Sequence, residues 1–156
     1  MDQQEFSRRV LAAEGRLYRI SCAMLGSHQD QMDAVQEAVL KAWQGCGRLR
    51  QKAFFETWLT RILINECYNI LRARSRTTAL ERAPEPVAPP EGANRVLYDA
   101  LMALERELRL PLVLSYMEGY KHREIAVILK IPEGTVKSRI LRAKRALKEL
   151  LEEEER

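Results

Sequence analysis

Residues 122–142 read HREIAVILKIPEGTVKSRILR, and this stretch decides how the second half of the chain folds. The spacing predicts a helix over 122–129, the turn Lys130-Ile131-Pro132, and a long helix from about residue 133 toward 151. Pro132 suits the start of the second helix, because the N–H that proline lacks would have no helical partner there. Apolar side chains occur where the helices must pack on each other, at Ile125, Leu129, Ile131, Val136 and Ile140. The pattern is typical of a helix-turn-helix.

The second of these helices has two chemically different faces. At about 100° per residue, one face is apolar and should join the core; it carries Val136, Ile140, Ala143, Leu147 and Leu150. The opposite face carries Ser138, Leu141, Arg142 and Arg145, flanked by Lys137, Lys144 and Lys148. Six basic and no acidic residues occur from 137 to 148. Such a face can neutralise phosphates and reach base edges in a major groove, although a basic stripe can also be an ordinary solvated surface.

Outward from this motif, the rest of the chain also reads as helices. Helices are predicted over 95–108 and 111–118, the latter ending at Gly119, and over 5–25, 28–43 and 53–74 in the first half. Gly26 is suited to end the first helix and Ser27 to cap the second. In the third helix, apolar residues at helical spacing should face the core; they are Phe55, Trp58, Leu59, Ile62 and Ile70.

A proline-rich stretch separates the two halves. Residues 74–93, RSRTTALERAPEPVAPPEGA, contain four of the six prolines, and a helix cannot run through them. The sequence therefore predicts an all-α protein with two small helical domains, 1–74 and 95–156, and a linker over 75–94. If extended, about 20 residues span at most roughly 65–70 Å, about two turns of DNA.

Composition narrows the functional classes. Of 156 residues, 46% are hydrophobic and only 6% aromatic, and Lys and Arg exceed Asp and Glu by 26 to 22. The three cysteines, Cys22, Cys46 and Cys67, are odd in number and lack CxxC spacing, which argues against disulfides or zinc. We expect a cytoplasmic protein without signal peptide or membrane insertion. The absence of catalytic and phosphate-binding motifs predicts no enzyme activity and no cofactor or metal.

At this point the sequence resembles a known family. Residues 110–149, LPLVLSYMEGYKHREIAVILKIPEGTVKSRILRAKRALKE, are similar to region 4 of bacterial extracytoplasmic-function sigma factors. Residues 30–43, DQMDAVQEAVLKAW, resemble region 2.2 of these proteins, and residues 55–72, FETWLTRILINECYNILR, resemble regions 2.3 and 2.4. The resemblance covers nearly the whole chain outside the linker, with the motifs in the family's order. It implies a dissociable initiation subunit of RNA polymerase that binds promoter DNA.

The resemblance assigns roles to individual residues. In the family, region 4 reads the minus-35 element through its recognition helix, here Lys137, Ser138, Arg139, Leu141 and Arg142. Region 2.2 docks on a coiled coil of the largest core-polymerase subunit, here through Met32, Asp33, Gln36 and Glu37. The family is often held inactive by a membrane-tethered anti-sigma protein, so an anti-sigma factor is an expected partner.

Regions 2.3 and 2.4 of the family bind the non-template strand of the minus-10 element and capture an unstacked base. The matching positions form a loop over residues 49–54, here called the capture loop, and the helix after it. The implied residues are Leu49, Arg50, Phe54, Arg61 and Asn65. A basic groove could come from Arg50, Lys52, Arg61, Arg72 and Arg74. Phe54 is a candidate for base stacking, and packing in the core is an equal alternative; we expect Trp43 and Trp58 in the core.

Two positions depart from the family pattern. Lys130 stands where the turn usually has glycine, so we expect strain or an altered turn. The capture loop reads Leu49-Arg50-Gln51, where the family usually has an aromatic residue, arginine and glycine. This difference leaves the captured base undefined.

Two other functions remain open on the sequence. An autonomous helix-turn-helix repressor would bind duplex DNA without polymerase, but it needs a dimerisation or sensing domain. A helical adaptor that sequesters a partner would not depend on Lys137 and Arg142.

Overall fold

The computed structural model describes residues 1–76, Gly92 and 94–155, and these residues form helices and turns without any strand. The all-α fold class is therefore confirmed. The chain divides into two units, Met1–Pro86 and Val87–Arg156. Most of the predicted linker lies outside the described residues. None of the helices formed by the described residues is long and apolar enough to cross a membrane.

The first unit consists of three helices, α1 Gln3–Met24, α2 His28–Gly45 and α3 Phe55–Arg76. Their shared core has large, fully buried side chains, namely Leu17, Ile20, Met24, Leu25, Phe55, Leu59, Leu63 and Ile64. The predicted core stripe of α3 is right at Phe55 and Leu59. Ile62 and Ile70 are only half-buried, and Leu63, Ile64 and Cys67 are buried in their place. The α3 helix also continues two residues past the predicted domain boundary at residue 74.

Buried polar contacts fix the corner between α1 and α2. The Ser27 hydroxyl accepts a hydrogen bond from the Asp30 N–H at 3.1 Å, which confirms the predicted cap. Gln31, fully buried, donates to the Leu25 carbonyl at 2.8 Å and accepts from the Cys22 thiol at 3.5 Å. Burial raises the pKa of Cys22. Gly26 directly follows the C-cap residue Leu25, which is the position predicted for it. Leu25 is extended and Gly26 has no positive φ, so α1 ends without a left-handed glycine.

The segment between α2 and α3 contains two short 3-10 turns, Cys46–Arg48 and Lys52–Phe54. The α2 helix continues to Gly45, two residues beyond its predicted end. A Cβ atom at Gly45 would lie 3.3 Å from the Trp58 ring, so a larger residue there would crowd this tryptophan. The close approach explains a glycine in the last helical turn.

The second unit begins with α4 Arg95–Ala103 and α5 Arg106–Leu112, and the prediction of one helix over 95–108 is wrong. The chain turns at Leu104 and Glu105, which both lie outside the helical conformation. The physical cause is Arg109, whose buried guanidinium donates to the carbonyls of Leu101 at 3.0 Å, Met102 at 3.0 Å and Leu104 at 2.7 Å. These carbonyls lie at the end of α4, where helical partners run out.

A new helix was predicted to start at Pro111, but this residue lies within α5. The helix then widens into a π turn, Val113–Met117, in which the Glu118 N–H donates to the Val113 carbonyl at 3.1 Å. Gly119, with φ 75°, ends this turn as predicted. The left-handed conformation is one that glycine adopts without steric cost.

The helix-turn-helix consists of α6 His122–Leu129 and α7 Glu133–Glu155. Lys130 takes the left-handed conformation, with φ 57° and ψ 46°, and the Ile131 N–H donates to the Ala126 carbonyl at 3.1 Å. The turn is therefore kept without glycine, and the expected alteration is not found. Ile125, Ile128, Val136 and Ile140 are buried between the helices.

Candidate nucleic-acid interface

The long helix α7 separates an apolar face from a polar one. Val136, Ile140 and Ala143 are buried, and Leu147 and Leu150 are half-buried, as the periodicity predicts. The polar face is exposed at Lys137, Ser138, Leu141 and Arg142, while Arg139 is half-buried. Leu141 is 51% exposed although it is apolar, which gives this face a methyl-bearing group beside two cations.

Two cations of α7 contact neighbouring side chains, and these contacts limit their availability to other partners. The Lys137 ammonium lies 4.0 Å from the Glu133 carboxylate one turn earlier. Lys144 lies 4.5 Å from the centre of the Tyr116 ring, so it covers this ring and is displaced from the centre of the polar face. The arrangement leaves Ser138, Arg142 and Arg145 at the centre of the exposed surface. Among the described residues, no group of side chains is arranged to hold a metal ion.

In the first unit, the residues predicted for the minus-10 surface lie in the capture loop and on α3. Arg50, Phe54 and Asn65 are exposed, and Leu49 and Arg61 are half-buried. Phe54 is 56% exposed, whereas its neighbour Phe55 is 1% exposed. The open question about Phe54 therefore has a structural answer: Phe55 fills the core, and the Phe54 ring is accessible.

Three cations expected in the basic groove have partners in their own unit. Lys52 pairs with Glu5 across 3.0 Å. Arg74 donates two hydrogen bonds to Asp30, at 2.6 and 3.0 Å, and Arg72 donates to Asn69. Sequence position alone does not reveal these pairings, because the partners of Lys52 and Arg74 are more than 40 residues away. Arg50 and Arg61 remain the cations of this surface with the simplest access.

The face of α2 predicted to meet polymerase is exposed at Met32, Asp33, Gln36 and Glu37. The structure extends this face by one apolar residue, Leu40, which is 51% exposed. The opposite side of α2 is made of small, fully buried residues, Ala34, Ala38 and Ala42. Close packing of the alanine side on the core leaves the acidic and apolar side for a partner.

Comparison with known proteins gives a family match for each of the two units. Residues 10–77 match the Sigma-70 region 2 family, and residues 94–147 match the Sigma-70 region 4 family. The RNA polymerase sigma-H factor of Pseudomonas aeruginosa is 31% identical over 97% of this chain and 88% of its own length. The ECF RNA polymerase sigma factor SigM of Mycobacterium tuberculosis is 34% identical over 96% and 79%, respectively.

The chain belongs to the extracytoplasmic-function sigma factors. A solved structure of the sigma factor RpoE of Bartonella quintana, in complex with the anti-sigma factor NepR, is similar in fold. Its TM-score is 0.86 at 26% identity, and the match covers 96% of this chain and 98% of that one. The function inferred from the resemblance, transcription initiation as a sigma factor, is confirmed by these matches.

Two further features of this sigma factor were not predicted from its sequence. Trp43 was expected in the core, but it is 43% exposed at the end of α2, with its ring 5.1 Å from Phe6. In the same unit, Lys41 of α2 forms an ion pair with the nearly buried Glu66 of α3, and this carboxylate raises the pKa of Lys41. The pair joins α2 to α3 within the part of the chain that matches Sigma-70 region 2.

The second unit of the sigma factor contains an apolar groove of about 290 Å³. Its lining comes from α4, the end of α5, the π turn and α7, namely Leu97, Leu101, Leu112, Val113, Tyr116, Met117, Lys144 and Leu147. Tyr116 and Met117 are more than half exposed at its rim. Lys144 is the cation beside these apolar side chains.

Proposed function

We propose that this sigma factor reads the minus-35 element with α7 and the minus-10 element with the capture loop and α3. The observation that carries the first assignment is the α7 face of Lys137, Ser138, Arg139, Leu141 and Arg142, where exposed cations surround one apolar group. Arginine pairs with guanine edges, and apolar groups contact the thymine methyl. The domain roles follow as 1–74 for polymerase and minus-10 binding, 75–94 as linker and 95–156 for minus-35 binding.

For the minus-10 element, we propose that Leu49, Arg50, Phe54, Arg61 and Asn65 receive the single strand. The accessible ring of Phe54 supports a stacking role, because aromatic side chains stack with unpaired bases of any sequence. Arg50, in the same loop, and Arg61, on α3, supply positive charge to the proposed surface. The action is binding and strand separation, without covalent chemistry by the chain.

For core polymerase, we propose the α2 face of Met32, Asp33, Gln36 and Glu37 as the contact with the largest subunit. Its mixed acidic and apolar character fits a basic helical partner. Glu37→Ala should weaken binding to core polymerase, whereas the matched control Glu14→Ala, at an exposed glutamate of α1, should not. Competition binding with labelled core polymerase measures this difference. The proposed place of action is the cell interior, where polymerase is found.

An anti-sigma factor is a further proposed partner, supported by the similar sigma factor RpoE, which was solved in complex with one. The groove in the second unit suits an apolar segment with an acidic residue near Lys144. Adding purified anti-sigma protein from the same organism should inhibit transcription. Met117→Asp should relieve this inhibition while transcription without the inhibitor is retained. Inhibition that remains unchanged in Met117→Asp would exclude the groove as the docking site.

The test of the central proposal is in vitro transcription with purified chain, sigma-free core polymerase and a library of randomised promoters. Sequencing the transcripts should show enrichment of two separated DNA elements. Arg142→Ala should reduce the enrichment of the upstream element, and the matched control Arg95→Ala, an exposed arginine on α4, should leave it unchanged. Stable binding of the chain alone to duplex DNA, with no transcripts, would contradict the proposal and favour an autonomous repressor.

A further inference from the structure

The first turns of α1 lie against the ends of the capture loop. The buried ring of Phe6 packs 5.1 Å from Trp43, near the end of α2, and 5.8 Å from Phe55, the first residue of α3. Phe55 in turn lies 6.0 Å from Trp58. This aromatic cluster therefore fixes the positions where the chain leaves α2 and enters α3.

Polar groups of α1 also hold the loop itself. Glu5 accepts a hydrogen bond from the Lys52 ammonium at 3.0 Å, and Arg9 donates to the backbone carbonyl of Lys52 at 3.2 Å. Arg9 also donates to Glu5 at 3.3 Å, and its guanidinium carbon lies 5.8 Å from the centre of the Phe55 ring. One residue of the loop is thus held through both its side chain and its backbone.

The held residue is well placed to orient the exposed ones. Lys52 begins the 3-10 turn that contains Phe54, and its carbonyl accepts a hydrogen bond from the Phe55 N–H as well as from Arg9. The carbonyl is therefore fixed from two sides. Phe54, one residue before the buried Phe55, then points away from the core.

We propose that Glu5 and Arg9 are positioning residues for minus-10 recognition, which hold the capture loop in a form ready to receive the unpaired strand. This inference rests on the proposed function of the loop. A loop already ordered in the free protein loses less conformational freedom on binding, and the affinity for the strand is correspondingly higher. Lys52 is then an anchor of the loop rather than a contact to phosphate.

The two possible roles of Lys52 predict effects of opposite sign. If Lys52 anchors the loop, Glu5→Gln loosens the loop and weakens recognition of the minus-10 strand. If Lys52 binds phosphate, Glu5→Gln releases its ammonium and strengthens binding. Glu5→Gln changes no volume and leaves the Asp2 cap of α1 in place, so the helix should still form.

The experiment uses complete holoenzyme, assembled from each variant and core polymerase, on a promoter selected with the wild-type chain. Opening is followed by the fluorescence of 2-aminopurine in the non-template strand of the minus-10 element. Glu5→Gln and Arg9→Ala should slow opening by about tenfold. The matched control is Arg8→Ala, because Arg8 is exposed and lies about 100° around α1 from Arg9. It should open the promoter at the wild-type rate.

Two further readouts separate positioning from general damage. In the promoter library, Glu5→Gln and Arg9→Ala should weaken base preference in the minus-10 element and keep both the minus-35 preference and the affinity for core polymerase. The double variant Glu5→Gln/Lys52→Gln should open no more slowly than the slower single variant, because both changes remove the same ion pair.

Several results would overturn the inference. These are wild-type or faster opening by Glu5→Gln, additive losses in the double variant, and parallel losses of minus-35 preference and polymerase affinity. A wild-type chain that opens no promoter with any core polymerase would instead contradict the proposed function. The two failures are therefore distinguishable.

Discussion

The two units present their cations to DNA in different ways. On α7 the polar face comes from one helix, and Arg142 and Ser138 are exposed at its centre. In the first unit, Lys52 forms an ion pair with Glu5 of α1, and Arg74 forms an ion pair with Asp30 of α2. DNA would therefore have to compete with a carboxylate from another helix for Lys52 and Arg74.

The units also differ in how an arginine holds a bend in the chain. Arg109 is 8% exposed and donates to three carbonyls at the α4–α5 corner. Arg9 is half-buried and donates to a single carbonyl of the capture loop. Burial lowers the pKa of Arg109, because the charged form loses hydration there. The buried corner should be rigid, and the half-buried contact should be easier to open.

The largest expected effect is that of Arg109→Met. Methionine fills similar space without donors, so buried carbonyls lose their partners and the second unit should lose about 2–4 kcal/mol of stability. Both tryptophans, Trp43 and Trp58, lie in the first unit. Urea unfolding followed by tryptophan fluorescence reports that unit, whereas circular dichroism reports all helices. The fluorescence midpoint should move less than the dichroism midpoint; equal shifts would contradict the assignment of this effect to the second unit.

The next effect compares two arginines of the same charge, Arg142 and Arg74. Arg142→Ala should weaken specific promoter binding by about 1–3 kcal/mol and relax base preference at one minus-35 position. Arg74→Ala removes an ion pair with Asp30 in which the arginine side chain is partly exposed, and it should cost about 1 kcal/mol of stability or less. Holoenzyme binding to promoter DNA at several salt concentrations gives the DNA affinity of both variants, and urea unfolding followed by tryptophan fluorescence gives the stability change of Arg74→Ala. Equal losses of DNA affinity in the two variants would remove the distinction between free and paired cations.

Sequence patterns predicted the features that depend on local chemistry. The bounds of α6, the Ser27 cap and the apolar face of α7 all follow from residues within a few turns of each other. The break between α4 and α5 was missed, because it depends on hydrogen bonds that Arg109 makes back to the preceding helix. The periodicity of α3 also predicted a different set of core residues from the one observed, because α3 packs on both α1 and α2.

The residues of the candidate site also fall into those that local sequence predicts and those that depend on tertiary contacts. The exposure of the α7 face follows from the helical periodicity alone, so its residues could be predicted from the sequence. The resemblance supplied the capture loop, and the helical spacing placed Phe55 in the core. For Phe54 the sequence left base stacking and core packing as equal alternatives, and only the structure decides between them. The contacts of Glu5 and Arg9 with Lys52 join residues more than 40 positions apart, and no local signal indicates them.

A smaller effect concerns the turn of the helix-turn-helix. Lys130 has a left-handed backbone, which costs roughly 1–2 kcal/mol for a residue with a Cβ atom. Lys130→Gly removes this cost but gives the unfolded chain more freedom, so the net gain should be about 0.5–1 kcal/mol. Thermal unfolding followed by circular dichroism measures it, with Lys121→Gly as the control at a cap whose φ is −73°. A loss of stability in Lys130→Gly would contradict the strain assigned to this turn.

The smallest effect is a dependence on pH in the first unit that the α7 face should lack. The Lys52 ammonium holds the pKa of Glu5 below its ordinary value of 4.5. A carboxyl with a lowered folded pKa stabilises the fold above its unfolded pKa, and this contribution is lost as pH falls from about 4.5 through the folded value. The protection of the Lys52 and Phe54 amides from hydrogen exchange, after correction for the intrinsic exchange rate at each pH, should therefore fall in this acid range. Glu5→Gln should give fast exchange already at neutral pH and remove this part of the acid response.

Because Glu5 is near the surface, added salt should weaken the contact between Glu5 and Lys52 in the wild type and leave the variant unchanged. An acid response that persists in Glu5→Gln would assign the loosening of the loop to another carboxyl.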